Sequence, residues 1–179
     1  MNYCSECAAK VSLEIPENDE RHRFVCTACQ HIHYQNPRVI TGCLPIWKDQ
    51  VLLCKRAIEP RSGLWTLPAG FMENGESLEQ GAQRETKEEA NALVDNLSLY
   101  SVTSLPEINQ VYLLYLAYLT EPRFSSGIES LEVQLFNEAD IPWQTLAFPI
   151  VEKTLRAYFK ERLSQQFSVH QWTIFKDNI

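Results

Sequence analysis

Apolar and polar positions along the chain follow two periods. Residues 38–47 (RVITGCLPIW) are apolar and β-branched, and 51–55 (VLLCK) repeat that texture after Lys48-Asp49-Gln50, so the pair predicts a β-hairpin. Residues 111–119 (VYLLYLAYL) form a nearly unbroken apolar run, the pattern of a strand covered on both faces. Segments 64–68 and 131–136 read as further strands. Between 149 and 163, Ile150, Val151, Leu155, Tyr158, Phe159 and Leu163 recur at helical spacing and predict an amphipathic helix. Ser77 followed by Gln80 is a capping-box pattern, which starts another helix at Leu78 and carries it to about Ala90, with Asn91 as C-terminal cap. The weak alternation of 166–179 leaves an added strand and an arm over a partner both open. Strands and helices in this mixed order predict an α/β layered domain.

Composition narrows the function classes. A chain of 179 residues suits one domain with a small attachment. With 16 Lys and Arg against 23 Asp and Glu, the net charge of -7 speaks against gripping nucleic-acid phosphates as the main task. No apolar run reaches the roughly 20 residues needed to cross a bilayer, so no membrane partner is expected. The first residues show no charged and apolar secretory pattern.

Four of the six cysteines form two knuckles, Cys4-x-x-Cys7 and Cys26-x-x-Cys29. That spacing suits a tetrahedral zinc site. Segment 1–36 is too short to bury much core, and a metal would supply the missing folding free energy. Two disulfides would need an oxidising compartment that nothing in the sequence indicates. His31 and His33 lie just past the second knuckle and read as surface or packing residues. This segment is slightly acidic, which favours a structural or dimerisation role over reading DNA. Cys43 and Cys54 sit in apolar stretches as buried free thiols, and with the zinc pattern they point to a reducing compartment, the cytoplasm.

The chemistry concentrates in 63–93. On the predicted helix Glu85, Glu88 and Glu89 stand at i, i+3 and i+4 and share one face. Like charges at that spacing weaken a bare helix by a few tenths of a kcal/mol per pair. A solvated acidic face explains them, since Arg84 can pair with Glu88. A site for hard cations such as Mg²⁺ explains them better beside a glycine-bearing loop, because Mg²⁺ takes carboxylate oxygens and keeps positions open for phosphate.

This segment resembles the Nudix box, G-x5-E-x7-R-E-U-x-E-E-x-G-U, in Gly70, Glu76, Arg84-Glu85 and Glu88-Glu89, preceded by Leu67-Pro68-Ala69-Gly70. Thr86, Asn91 and Ala92 depart from the pattern, and none of them replaces an acid. Asn91 can take the left-handed conformation that a glycine would supply. The resemblance implies an α/β/α sandwich that hydrolyses a nucleoside diphosphate linked to another group, with Mg²⁺ or Mn²⁺. It implies that Glu85, Glu88 and Glu89 hold the cations, joined by the carbonyl of Ala69 or Gly70, and that Glu76 pairs with Arg84. The proton acceptor varies within the family. Glu88, Glu89 and, outside the box, Glu129 and Glu132 are the candidates. Arg56 and Arg61 are candidates for phosphate, and Tyr112, Trp65 or Phe148 for stacking on a base.

A four-cysteine ribbon ahead of such a domain is itself a known arrangement, similar to NADH pyrophosphatases. Residues 101–110 (SVTSLPEINQ) lack the aromatic SQPWPFPxS motif of that branch. The chain is more similar to FAD and ADP-ribose pyrophosphatases with a ribbon, which implies a small nucleotide substrate, release of AMP and a homodimer. The expected layout is a zinc ribbon over 1–36, a Nudix domain over 37–165 and a tail over 166–179. Competing readings are an NADH pyrophosphatase, an RNA nucleotide-cap hydrolase and a non-catalytic nucleotide-sensing regulator. The intact acid cluster counts against the last.

Overall fold

A computed structural model describes residues 1–175. The chain divides into two compact units, Met1–Asn36 and a larger one from Pro37 onward. The first is a three-stranded antiparallel sheet of β1 (Val11–Glu14), β2 (Arg23–Cys26) and β3 (Ile32–His33) in that order. Its buried residues are Cys4, Val25, Cys26 and His33, too little apolar surface to stabilise a fold alone.

The second unit runs β4 (Arg38–Trp47), β5 (Gln50–Arg56), β6 (Trp65–Thr66), β7 (Ala69–Phe71), α1 (Leu78–Ala90), β8 (Val94–Leu105), β9 (Gln110–Leu119), β10 (Ser130–Phe136), α2 (Pro149–Glu161) and β11 (His170–Thr173). The main sheet has the order β10-β5-β4-β9-β8-β11, with β6 on β5 and β7 on β4. Strand β9 lies between β4 and β8, and its parallel register with β4 runs from Arg38↔Gln110 to Ile46↔Tyr118. Its side chains enter the cores on both faces of the sheet, Leu114 and Leu116 on one and Tyr115 and Ala117 on the other, which accounts for its continuous apolar run.

Side chains alternate across the sheet and feed two separate cores. Leu44, Ile46, Leu53, Leu114 and Leu116 pack with Ile150, Val151, Leu155 and Phe159 of α2. Cys43, Leu52, Cys54, Tyr115 and Ala117 pack with Ala82 and Ala90 of α1. The result is an α/β/α sandwich, as the resemblance implied. Cys43 and Cys54 are fully buried free thiols.

Helix α1 begins where the capping box placed it. The Gln80 amide donates to Ser77 Oγ at 3.2 Å, and the Ser77 amide donates to Gln80 Oε1 at 2.8 Å. It ends at Asn91, left-handed at φ 47° and ψ 29°. The sequence reading missed β8. Its ladder shifts register between Asp95 and Ser98 and again between Leu99 and Ser101, so the two-residue alternation loses phase twice. The tail resolves as β11, parallel to β8 with His170↔Ser101 through Thr173↔Ser104, and residues 176–179 of that segment lie outside the described residues.

Candidate active site

Loop 57–61, β7, α1 and the loop before β10 surround a cleft of about 1320 Å³. Glu85, Glu88 and Glu89 of α1 border it, with Ala69 and Gly70 of β7, Arg56, Arg61, Tyr112, Phe148 and Glu129. Glu85 and Glu89 are buried, while Glu88 is exposed. A Cβ at Gly70 would run into the Glu85 carboxylate, so only glycine lets β7 lie this close to the acid.

Arg84 organises the acids. It pairs with Glu76 in a bidentate fork, Nε to Oε2 at 3.0 Å and Nη2 to Oε1 at 2.7 Å. Nη2 also donates to the Phe71 carbonyl at 3.1 Å, and Nη1 to Glu85 at 2.6 Å and Glu88 at 3.1 Å. One guanidinium therefore ties the loop before α1 to two of the three clustered glutamates. The Arg84 fork, helped by the Glu73 amide, holds the Glu76 carboxyl down at about 2.

Burial acts the other way on the remaining acids. It raises Glu85 against the pull of Arg84. It pushes Glu89 up to about 8, opposed by the Ala69 amide, which donates to Glu89 Oε1 at 3.4 Å, and by Arg56, and reinforced by the charges of Glu85 and Glu129. Several carboxylates share one cleft, two of them buried, and the positive charge bordering them comes from arginines. Oxygen donors in that surplus suit a hard divalent cation.

Glu129 and Glu132, equivalent in the sequence, part company in the fold. Glu129 borders the cleft close enough to repel Glu85 and Glu89. Glu132 is not among the cleft residues and pairs with Lys55 at 3.6 Å. An irregularity between Ser130 and Glu132 at the start of β10 separates them. Arg56 donates from Nε to the Pro60 carbonyl at 2.8 Å and stands 5.3 Å over the Phe148 ring. Trp65 packs edge-on against Phe136 in the α2-side core and does not line the cleft.

Comparison with known proteins follows this geometry. A model for the NUDIX domain matches residues 36–157, and a zinc-ribbon model described as Nudix N-terminal matches 2–35. The chain belongs to the Nudix family. A Nudix hydrolase of Nitrosomonas europaea is 54% identical, superposes with a TM-score of 0.95, and is matched over 98% of this chain and 100% of its own. The NAD-capped RNA hydrolase NudC of Photobacterium profundum is 28% identical over 162 residues, 86% of this chain and 58% of the relative. An ADP-ribose pyrophosphatase of Methanocaldococcus jannaschii is 28% identical over 131 residues, 71% of this chain and 76% of the relative. The chain spans about three fifths of the length of the first capped-RNA hydrolases it matches.

Where the Nudix box has its last glycine, Asn91 supplies both the left-handed turn and a tether. Its Nδ2 donates to Ser125 O, Ser125 Oγ and Ser126 O at 3.1–3.3 Å. The Ser125 and Gly127 amides donate to the Ala90 and Glu89 carbonyls at 2.9 Å, which satisfies the end of α1. A Cβ at Gly127 would strike the Glu88 carbonyl oxygen. The loop leading to Glu129 is thus fastened to the helix that carries the other acids. Sequence reasoning missed this fastening, although Gly127 is the single glycine after Gly81 and stands two residues before an acid.

In the Nudix N-terminal unit the four cysteine sulfurs all lie within 4.8 Å of one another, with separations of 3.4, 3.5 and 3.8 Å for Cys7–Cys26, Cys7–Cys29 and Cys4–Cys29. A tetrahedron of Zn–S bonds near 2.3 Å has edges of about 3.8 Å, so the donors fit zinc. The Cys29 and Ala28 amides donate to Cys26 Sγ at 3.4 Å and pull that thiol down to about 6. Among the described residues no helix is long and apolar enough to cross a membrane.

Proposed function

We propose that this Nudix protein hydrolyses the diphosphate linkage of a nucleoside diphosphate carrying a second group, with FAD or ADP-ribose as substrate and AMP as a product. The observation that carries the proposal is the cleft in which buried Glu85 and Glu89, exposed Glu88 and, from another loop, Glu129 face a common space. Glu85, Glu88 and Glu89 would hold Mg²⁺ or Mn²⁺, which offsets diphosphate charge and acidifies the attacking water. Arg84 and Glu76 keep these carboxylates on the loop side of α1. Arg56 and Arg61 meet the phosphates, and Tyr112 and Phe148 offer faces to a base. Water oxygen bonds to one phosphorus, the P–O bond to the bridging oxygen breaks with its electron pair, and Glu129 accepts the proton of the water. Glu132, paired with Lys55, is left out of this scheme.

The size of the cleft supports a dinucleotide-sized substrate, since about 1320 Å³ exceeds the 300–1,000 Å³ usual for small ligands. The ADP-ribose pyrophosphatase relative points the same way. The capped-RNA hydrolase relatives favour a second reading, in which the second group is an RNA 5′ end, and the chain's acidity has less weight beside them. The four cysteines would hold one structural zinc, and the working form is a homodimer in a reducing cytoplasm. The test is incubation with Mg²⁺ or Mn²⁺ and FAD, ADP-ribose, NADH, NAD⁺, CoA or NAD-capped RNA, with the released mononucleotides followed by chromatography. AMP from FAD or ADP-ribose supports the reading, while release of nicotinamide mononucleotide from capped RNA, with no cleavage of the free nucleotides, replaces it with the second.

A further inference from the structure

The NUDIX model ends at residue 157, yet one residue lining the cleft lies well beyond it, Ile174. Ile174 is 3% exposed and packs in the α2-side core with Leu105, Leu114, Ile150 and Val151, all of which also line the cleft. It is held there by a latch. Its amide donates to the Ser104 carbonyl at 3.0 Å, continuing the β11–β8 pairing. Further back, Glu161 at the end of α2 accepts from Tyr100 Oη at 2.9 Å and lies 3.0 Å from His170 Nε2. Phe167 stacks on Tyr158, their planes 11° apart, and His170 stacks on Trp172 at 13°. These contacts order a segment that would otherwise fray.

The cleft is chemically divided. Its acids and arginines address phosphate and cation, whereas Leu105, Leu114, Ile150, Val151 and Ile174, nearly buried side chains of the α2-side core, close it with an apolar wall. Such a surface discriminates by volume, each missing methylene being worth about 10–200-fold between substrates. We infer that the C-terminal strand is a specificity element, and that Ile174 sets which second group is accepted on the nucleoside diphosphate. This rests on the function proposed above. A tail that merely covers a sheet edge would change stability and scale every substrate alike.

The experiment compares kcat/KM for FAD and for ADP-ribose in the full chain and in Ile174→Ala, with Tm recorded for both. Opening the apolar wall is expected to shift the ratio at least tenfold toward the bulkier FAD, mainly through KM. A ratio unchanged within twofold, whatever happens to Tm, overturns the inference. Should Ile174→Ala not fold, Ile174→Val reads the same ratio, with a shift of about tenfold expected for the one methylene removed and an unchanged ratio again decisive against it. Absence of hydrolysis of either substrate by the unaltered chain removes the proposed function, and this inference with it. Hydrolysis with an unmoved ratio removes the role of the strand alone.

Discussion

The cysteine cluster and the glutamate cluster gather their donors by opposite means. The four sulfurs lie within 4.8 Å of one another in a unit with four buried residues, with backbone amides already turned toward Cys26. The glutamates of α1 are placed instead by a helix and an arginine. That helix is fixed by the core on its own side of the sheet and by a capping box, and Arg84 spans Glu85 and Glu88. A metal in the first place would be part of the fold. A metal in the second would enter a fold that is complete without it, in competition with an arginine. The first arrangement suits permanent retention, the second suits exchange with substrate and product.

The sharpest way to break this comparison is to remove each metal in turn. Cys26→Ser is expected to release zinc and unfold residues 1–36, since structural zinc contributes about 10–16 kcal/mol in small zinc peptides. The domain from Pro37 should keep its amide protection, read by elemental analysis and hydrogen exchange. Loss of protection in both units would merge the two cases.

Glu89→Gln, with Glu88→Gln beside it, should lower kcat at least ~10²-fold while the Tm of metal-free protein near neutral pH holds, because Glu89, pushed up to about 8, is already protonated there. Activity retained in both variants removes these acids from the site.

A pH series sharpens the contrast further. In metal-free protein Glu89 titrates near 8 in the fold, against an ordinary value of 4.5. The folded state therefore holds a proton that the unfolded chain has released, and this contribution is complete below about pH 4.5. It falls away as pH rises to 8. Thermal melts of metal-free protein should show that decline, and Glu89→Gln should flatten it.

The smallest effect is expected at Asn91→Gly, which keeps the left-handed turn and deletes the tether to Ser125 and Ser126. A loss in kcat of about threefold to tenfold with unchanged KM for the cation would fit looser placement of Glu129, on the scale of one or two hydrogen bonds. An equal loss of stability and activity would mark the tether as structural only.

Much of the fold is legible in the sequence where a pattern is local. Ser77 and Gln80 start α1 through contacts three residues apart, and the unbroken run in β9 reports a strand covered on both faces. Strand β8 is opaque because its two irregularities scramble an alternation that would otherwise have shown. The tail is opaque because its sheet partner, β8, is distant in sequence and its parallel pairing leaves no turn signal. The acids of α1 are legible through helical spacing and the box. The difference between Glu129 and Glu132 is not, because one bulge decides it. Net charge says little about one cleft, because it averages over the whole surface.

The two helices of the sandwich differ in the bulk they turn to the sheet, alanines from α1 and Ile150, Val151, Leu155 and Phe159 from α2. Facing α1 the sheet presents Cys43 and Ala117 to Ala82 and Ala90, and a Cβ on Gly81 would meet Thr41 at 2.6 Å, whereas facing α2 it presents leucines and isoleucines. The small residues of α1 let the helix lie close enough for Glu85 and Glu89 to reach β7. Added bulk on that side, at positions without any polar atom, would lift the helix like a shim under a hinge and carry the carboxylates away from their loop. Silent loss of turnover therefore has a route through alanines and glycines as well as through acids.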